Sequence, residues 1–339
     1  MDNFFSASTT HLLINIFGVM AVLFLLALGA LIITVIFLYI IDKRQTAHTV
    51  RRNYPVIGRF RYLFEHMGEF FRQYFFAMDR EELPFNRAER SWAYRAAKNV
   101  DSTIAFGSTR SLTPAGSVLF VNCPFPTLTE DAAQPGEITL GPYCRHPYKT
   151  RSLVNISGMS YGAISKPAIQ ALSRGAKKAG CWMNTGEGGL SPYHLESGCD
   201  LVYQIGTAKY GVRDSNGQLS DEKLKTIADH QHARMFEIKM SQGAKPGKGG
   251  ILPGAKVTAE IAAIRGINVN EDSISPNGHP DIHSVEDLLD MVAHIRDVTG
   301  KPVGFKAVIG SSKWIDDMCS LILARGIESA PDFITSDSA

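Results

Sequence analysis

Apolar positions fall into three regimes along the chain. From Leu12 to Ile41, thirty consecutive residues carry no charge, and about 20 apolar residues suffice to cross a bilayer as a helix. This run predicts one transmembrane helix over 12–41. Within 55–80, Phe60, Leu63, Phe64, Met67, Phe70, Phe71, Tyr74 and Phe75 recur at i, i+3, i+4, i+7 spacing, the pattern of an amphipathic helix with a broad apolar stripe. The stripe is expected to pack on the domain that follows; an anionic membrane surface is the second reading. Another helix is expected over about 87–98. Residues 100–150, where Pro114, Pro124, Pro126, Pro135, Pro142 and Pro147 interrupt short β-like runs, read as an irregular entry segment.

From Ser152 onward, short apolar runs alternate with helical periods. Strands are predicted at 152–156, 181–185, 201–206, 235–240, 302–309 and 332–337, with a brief β-like piece at 273–276 before the turn Asn277–Pro280. Helices are predicted after the N-cap Ser165 up to Gly180, over 257–265 up to Gly266, over 285–299 behind a Ser284/Asp287 capping box, and over 311–325 up to Gly326. Alternating strands and helices imply a parallel α/β sheet. The special residues sit just past the strand ends, as they do in a TIM barrel. A doubly wound sheet is the second choice, because no G-x-G-x-x-G opens a helix after a strand.

Composition narrows the class. With 45% hydrophobic and 20% charged residues the chain is neither disordered nor low-complexity, and a net charge of +2 gives no whole-chain argument for nucleic acid. The five cysteines (123, 144, 181, 199, 319) are far apart, with no C-x-x-C pair, so a disulfide framework or a local metal site is not expected, and reduced structural thiols are. Only Asp2 and His11 titrate ahead of the apolar run, whereas Lys43, Arg44, Arg51 and Arg52 follow it. Positive charge marks the cytoplasmic side, so the N-terminus is expected outside and the rest in the cytoplasm of a single-pass, inner-membrane protein. A cleaved signal peptide fits poorly: no Lys or Arg precedes the run, and the run is too long.

The candidate chemistry centres on residues 236–254. A β-capable run carrying Lys239 enters a loop with Gln242, Lys245, Lys248 and glycines at 243, 247, 249, 250 and 254. Glycines so dense weaken any regular element but let backbone amides approach a ligand, and the cations point to an anionic or carboxylated one. Two more glycine loops follow the first two predicted strands, Ser157–Ser165 and Gly186–Gly189.

The segments Ser157–Ser165, Gly186–Tyr193, Glu237–Gly254, Ile274–Leu288 and Pro302–Lys306 closely resemble the synthase domain of glutamate synthases, and the match extends over about 51–339. The chain resembles in particular a membrane-anchored subgroup of FMN-binding glutamate synthase-like proteins. This resemblance implies an FMN-dependent TIM barrel over 151–339, after a helical and irregular lead-in over 42–150. It also implies reductive amination of 2-oxoglutarate, or a similar 2-oxo acid, with ammonia or an amine. By motif matching, Met159, Ser160, Gly162 and Gly188 are expected along the flavin, with Gln242, Lys245 and Lys306 donating to it or to substrate. Glu187 and Lys239 are expected to line the 2-oxo acid site, so that Lys239, Lys306 and Glu187 form the catalytic set. The electron donor is expected to be ferredoxin- or NADPH-linked.

Three departures accompany the resemblance. An anchor stands where large synthases have an amidotransferase domain, so free ammonia replaces glutamine. The turn Ser275–Pro280 differs from theirs. The sequence ends at Ala339, where the family continues, so an incomplete barrel is expected, and an iron–sulfur cluster belongs only to a longer form. The other readings are a non-catalytic, membrane-tethered remnant or binding protein, and an FMN barrel acting on another amine.

Overall fold

Thirty uncharged residues can satisfy their backbone groups in lipid only by helical bonding. In the computed structural model, which describes residues 7–100, 111–119, 121, 123–243, 247 and 249–337, they lie in α1 (Ala7–Arg44). Its stretch Ile14–Arg44 is long and apolar enough to be a candidate membrane span. The chain divides into two compact units, Met1–Pro126 and Thr127–Ala339. In the first, α1 is followed by a short α2 (Thr49–Asn53), by α3 (Ile57–Phe71), which runs into a π turn at Arg72–Phe76, and by α4 (Arg87–Ala97). The reciprocal bonds of Asn86 and Glu89 fix where α4 starts. The stripe Phe60, Phe64, Phe70 and Phe75 is exposed.

The second unit opens with an antiparallel pair, β1 (Ile138–Leu140) and β2 (Tyr148–Thr150), inside the stretch expected to be irregular. Pro142 and Pro147 lie in the connection between the strands, where their missing N–H groups interrupt no ladder. Beyond the pair come α5 (Lys166–Ala179), β3 (Met183–Asn184), α6 (Pro192–Leu195), β4 (Leu201–Ile205), α7 (Asp221–Ala228) and β5 (Ala233–Lys239). A small excursion follows: β6 (Ile251–Leu252), α8 (Ala259–Arg265) and β7 (Ser273–Ile274), with β6 and β7 antiparallel. The chain then returns through α9 (Val285–Thr299), β8 (Val303–Val308), α10 (Lys313–Arg325) and β9 (Ile334–Asp337). The run 152–156 contributes only Ile156, bridged in parallel to Met183.

β3, β4, β5, β8 and β9 form one curled, parallel sheet in that order. Among the described residues the main-sheet strands stand in chain order, with no point where the order reverses as a doubly wound sheet requires. The outer face carries Tyr203, Ile205, Phe236, Ile238, Val303 and Phe305, which pack with Leu224 of α7, Leu288, Leu289, Val292 and Ile295 of α9, and Met318 and Ile322 of α10. Ser165, Thr258 and Ser284 cap their helices, and Gly180, Gly266 and Gly300 end theirs in the left-handed conformation.

The β1–β2 pair lies at the amino ends of the strands. Tyr148 packs with Val202 and Met235, and its hydroxyl donates to Asp200 just before β4. The His146 amide donates to the Gly300 carbonyl. With that end covered, the inner face is left to open at the carboxyl ends. Cys144, nearby, is buried; burial and the Asp332 carboxylate push its thiol up to about 12. Cys181 and Cys199 are buried as well, while Cys123 and Cys319 are exposed. A thiol reagent at neutral pH is therefore expected to label Cys123 and Cys319 in the folded chain and all five only after denaturation. Rapid labelling of Cys144 in the folded chain would contradict this packing.

Candidate functional site

Alternation along the strands turns one set of residues inward. Phe236 and Ile238 go to the helices, so Met235, Glu237 and Lys239 face the concave side. The same period places Val202 and Gln204 of β4, Gly304 and Lys306 of β8, and Thr335 and Asp337 of β9 on that side. The residues fall into levels: apolar next to β1–β2, amide and carboxylate in the middle, charged at the carboxyl ends.

Glu237 holds the middle level and is 3% exposed. Its Oε1 accepts from Asn184 Nδ2 at 2.8 Å and Gln204 Nε2 at 2.6 Å, and its Oε2 accepts from Thr335 Oγ1 at 2.5 Å. One carboxylate thus ties β3, β4 and β9 to β5. Asn184 Oδ1 in turn accepts from the Gly186 amide at 2.9 Å, which fixes the start of the loop that carries Glu187.

At the carboxyl ends, Lys239 and Lys306 are direct register partners on β5 and β8. Lys306 pairs with Asp337 at 3.1 Å, and Asp337 Oδ2 also accepts from the Gly243 amide at 2.9 Å. Burial pushes the Asp337 carboxyl up, but the Gly243 amide, Lys306 and Lys239 outweigh it and hold the group below its usual range. Lys239 Nζ lies 3.7 Å from Glu187 Oε2, with the two side chains 11% and 12% exposed. Glu187 Oε1 accepts from Gln242 Nε2 at 3.0 Å, whereas Oε2 is buried without a hydrogen-bond partner. A Cβ on Gly206 would stand 2.5 Å from that of Glu187, so the carboxylate reaches Lys239 only because position 206 is glycine.

The structure thus brings Glu187, Lys239, Gln242 and Lys306 together. Met159 and Ser160 lie in the first glycine loop, partly buried; the Ser160 amide would be 2.6 Å from a Cβ on Gly186. Gly188 is packed against Ser160 and the Arg265 guanidinium, and Gly162, at φ +98°, against Leu252 and Ile261. Lys245 and Lys248 lie outside the described residues. The tyrosines of the two upstream motifs meet on one carboxylate: Tyr161 donates to Glu260 at 2.6 Å and Tyr193 at 2.5 Å, with their rings edge to face.

Two buried histidines stand in this unit, His194 beside the first glycine loop and His279 in the turn 275–280. Burial pushes His194 down to about 4 against the opposing effect of the Met159 backbone, and it pushes His279 down to about 4 against that of Asp281. The ordinary imidazole value is 6.5, so between the two values the unfolded chain binds protons that the folded chain does not. Unfolding free energy is therefore expected to fall as pH drops from 6.5 towards 4, by about 1.4 kcal/mol per unit for each histidine, and to level off below. Urea unfolding across this range should lose about one proton of slope in His194→Gln; an unchanged slope would refute the assignment.

With this geometry in place the comparisons are specific. The conserved region in glutamate synthase matches residues 127–337. The chain belongs to the glutamate synthase family. A glutamate synthase large subunit-like protein, YerD, of Bacillus subtilis is 36% identical over 341 residues, covering 89% of this chain and 64% of that protein. An archaeal-type glutamate synthase (NADPH) of Thermotoga maritima is 42% identical over 187 residues, covering 54% of this chain and 33% of the relative. The archaeal glutamate synthase (NADPH) of Methanocaldococcus jannaschii is 40% identical over 155 residues, or 45% and 28%. The chain thus spans less than two thirds of the length of these relatives.

In this glutamate synthase-family chain, several residues of the site escaped the motif reading. Asn184, Gln204, Thr335 and Asp337 were legible only as strand residues, and Glu237 opened a matched segment without being given a role. Strand alternation was the signal that could have found Glu237: a carboxylate two positions before Lys239 must share its face. Arg265, 5% exposed, ends α8; it donates to Ser273 Oγ at 2.9 Å and the Tyr161 carbonyl at 3.2 Å. A groove of 910 Å³, lined by Phe305, Ala307, Trp314 and Leu321, lies on the opposite, helix-covered face of the sheet. Glu286 and Asp317 line its rim, whereas Lys239, Lys306 and Asp337 lie on the other face of the sheet, so the concave face is the candidate site.

Proposed function

We propose that this chain carries the amino-acid-forming site of a glutamate synthase-type oxidoreductase, on a sheet that is part of a TIM barrel. Ammonia and 2-oxoglutarate, or a similar 2-oxo acid, combine with loss of water to an imino acid. A hydride at its α-carbon and a proton at its nitrogen complete the amino acid. The observation that carries this reading is the register pair Lys239–Lys306 at the carboxyl ends of β5 and β8, converging with Glu187 and Gln242. Two cations held in a mostly buried setting attract the carboxylates of a 2-oxo acid more strongly than they would in water.

FMN is the cofactor that the family resemblance implies, and the donor set fits it. Gln242 and Lys306 offer N–H groups, the glycine loops present backbone, and Glu187 Oε2 lacks a partner. Met159, Ser160, Gln242, Lys245 and Lys306 would hold the flavin, with Gly162 and Gly188 shaping its loops. When bound, FMN supplies the hydride. Lys239 polarises the 2-oxo group and, beyond hydrogen-bond reach of Glu187, keeps its donors for substrate. Glu187 takes a proton from the amine and returns it as water leaves, held in orientation by Gln242. Reducing equivalents come from an NADPH- or ferredoxin-linked donor. α1 spans the membrane with its N-terminus outside, and the site lies in the cytoplasm.

The test is the visible spectrum of the chain in detergent after FMN is added and free flavin is removed by gel filtration. A retained flavin spectrum, with the reduced flavin reoxidised by 2-oxoglutarate plus ammonia, is expected. No retained flavin would overturn the cofactor assignment. Retained flavin indifferent to both substrates would overturn the reaction.

A further inference from the structure

The basic, aromatic segment after the anchor forms a continuous apolar surface. In α3, Ile57, Phe60, Phe64, Met67 and Phe71 share one side and are exposed, whereas Glu65 and Glu69 lie away from it and Arg61, paired with Glu65 at 2.9 Å, stands at its edge. The π turn prolongs this stripe. A wider turn brings residues five apart over one another, and Phe70 and Phe75 stand 6.3 Å apart, Phe71 and Phe76 6.4 Å. The aromatic side therefore continues past the end of α3 instead of rotating away.

A built joint fixes this segment to α1. Asp42, one residue beyond the apolar run, is 1% exposed. It accepts from the Val56 amide at 3.0 Å and from Arg59 Nε at 2.9 Å and Nη2 at 2.7 Å. Gly58 packs against the Val50 carbonyl, which a Cβ would crowd at 2.9 Å. These contacts hold the first turn of α3 against the end of the candidate membrane span, at the level where apolar sequence gives way to charge. Once Asp42 and Arg59 have paired, Lys43, Arg44, Arg51, Arg52 and Arg72 remain in excess over the acids of this stretch.

We propose that α3 and its π turn lie flat on an anionic lipid surface, with the aromatic stripe in the headgroup–acyl boundary and the Asp42–Arg59 joint setting their depth. The inference rests on the reading of α1 as membrane-spanning. It commits to lipid because the face continues from an apolar span and is flanked by positive charge. That combination binds an anionic leaflet through buried apolar area and electrostatic attraction together.

The test uses the full chain reconstituted into vesicles of phosphatidylcholine with about 30 mol% phosphatidylglycerol, some of the lipid brominated just below the headgroups. Phe64→Trp reports the stripe and Glu65→Trp the opposite side, with the emission of Trp92, Trp182 and Trp314 subtracted using the parent chain. Brominated lipid is expected to quench the Phe64→Trp signal at least about twofold more than the Glu65→Trp signal, and Asp42→Asn is expected to reduce that difference. A Phe64→Trp signal that is blue-shifted but untouched by bromine would mean that protein covers the stripe, and would overturn the proposal. So would equal quenching of both positions. Alkaline carbonate extraction reads the anchor separately: a chain that washes off refutes the span itself, whereas a chain that stays without quenching refutes only the surface helix.

Discussion

Glu237→Leu is expected to lower the unfolding free energy by about 3–5 kcal/mol. Two buried donors, Asn184 Nδ2 and Gln204 Nε2, and the half-buried Thr335 Oγ1 aim at this one carboxylate. Each donor left unpaired costs about 1–3 kcal/mol, only partly offset by the added apolar contact. Leucine also cannot hold Asn184 in place for the Gly186 amide, so the Glu187 loop should loosen along with the sheet. Glu237→Gln keeps the shape but presents an NH2 where an acceptor is needed, and should cost about 1–3 kcal/mol. Urea unfolding in detergent, followed by far-ultraviolet circular dichroism, measures both. A leucine variant within 1 kcal/mol of the parent would show that the network is not buried as described.

Lys239→Met is expected to lower kcat/KM for the 2-oxo acid by about 10²–10³-fold, the size of effect seen when one charge-stabilising donor is removed from an active site. Methionine matches the stem of lysine without its charge, and the neighbouring Glu187 keeps its Gln242 bond, so flavin retention should change little. Lys306→Met should behave differently. Lys306 holds Asp337, and Asp337 holds the Gly243 amide, so its loss should disturb the loop beyond β5 and weaken flavin binding as well as turnover. Steady-state assays with 2-oxoglutarate and ammonia, together with flavin absorbance, separate the two variants. A Lys239→Met chain within tenfold of the parent would remove Lys239 from the catalytic set.

Most of the elements were legible because their signals are local, although α7, α6 and β6 were not among those expected. The uncharged run before Asp42, the caps Ser165 and Ser284, and the glycine stops at 180, 266 and 300 each act within a turn or two of chain. The strand expected at 152–156 shrinks to one bridge, because an apolar run becomes a strand only where a partner's ladder reaches it. Conversely, β1 and β2 were not placed: proline density marked the stretch of short β-like runs as irregular, although Pro142 and Pro147 occupy only the connection between them.

The sequence by itself therefore determined the long apolar helix, most of the alternation of strands and helices, the family, and Glu187, Lys239, Gln242 and Lys306 as candidates for one site. Only the tertiary structure decided which of them meet. Strand pairing set Lys239 beside Lys306 and closed bonds from Glu237 to residues 33, 53 and 98 positions away. Separations of that size leave no periodic trace along the chain. They arise when the sheet curls and turns its alternate residues onto one concave face.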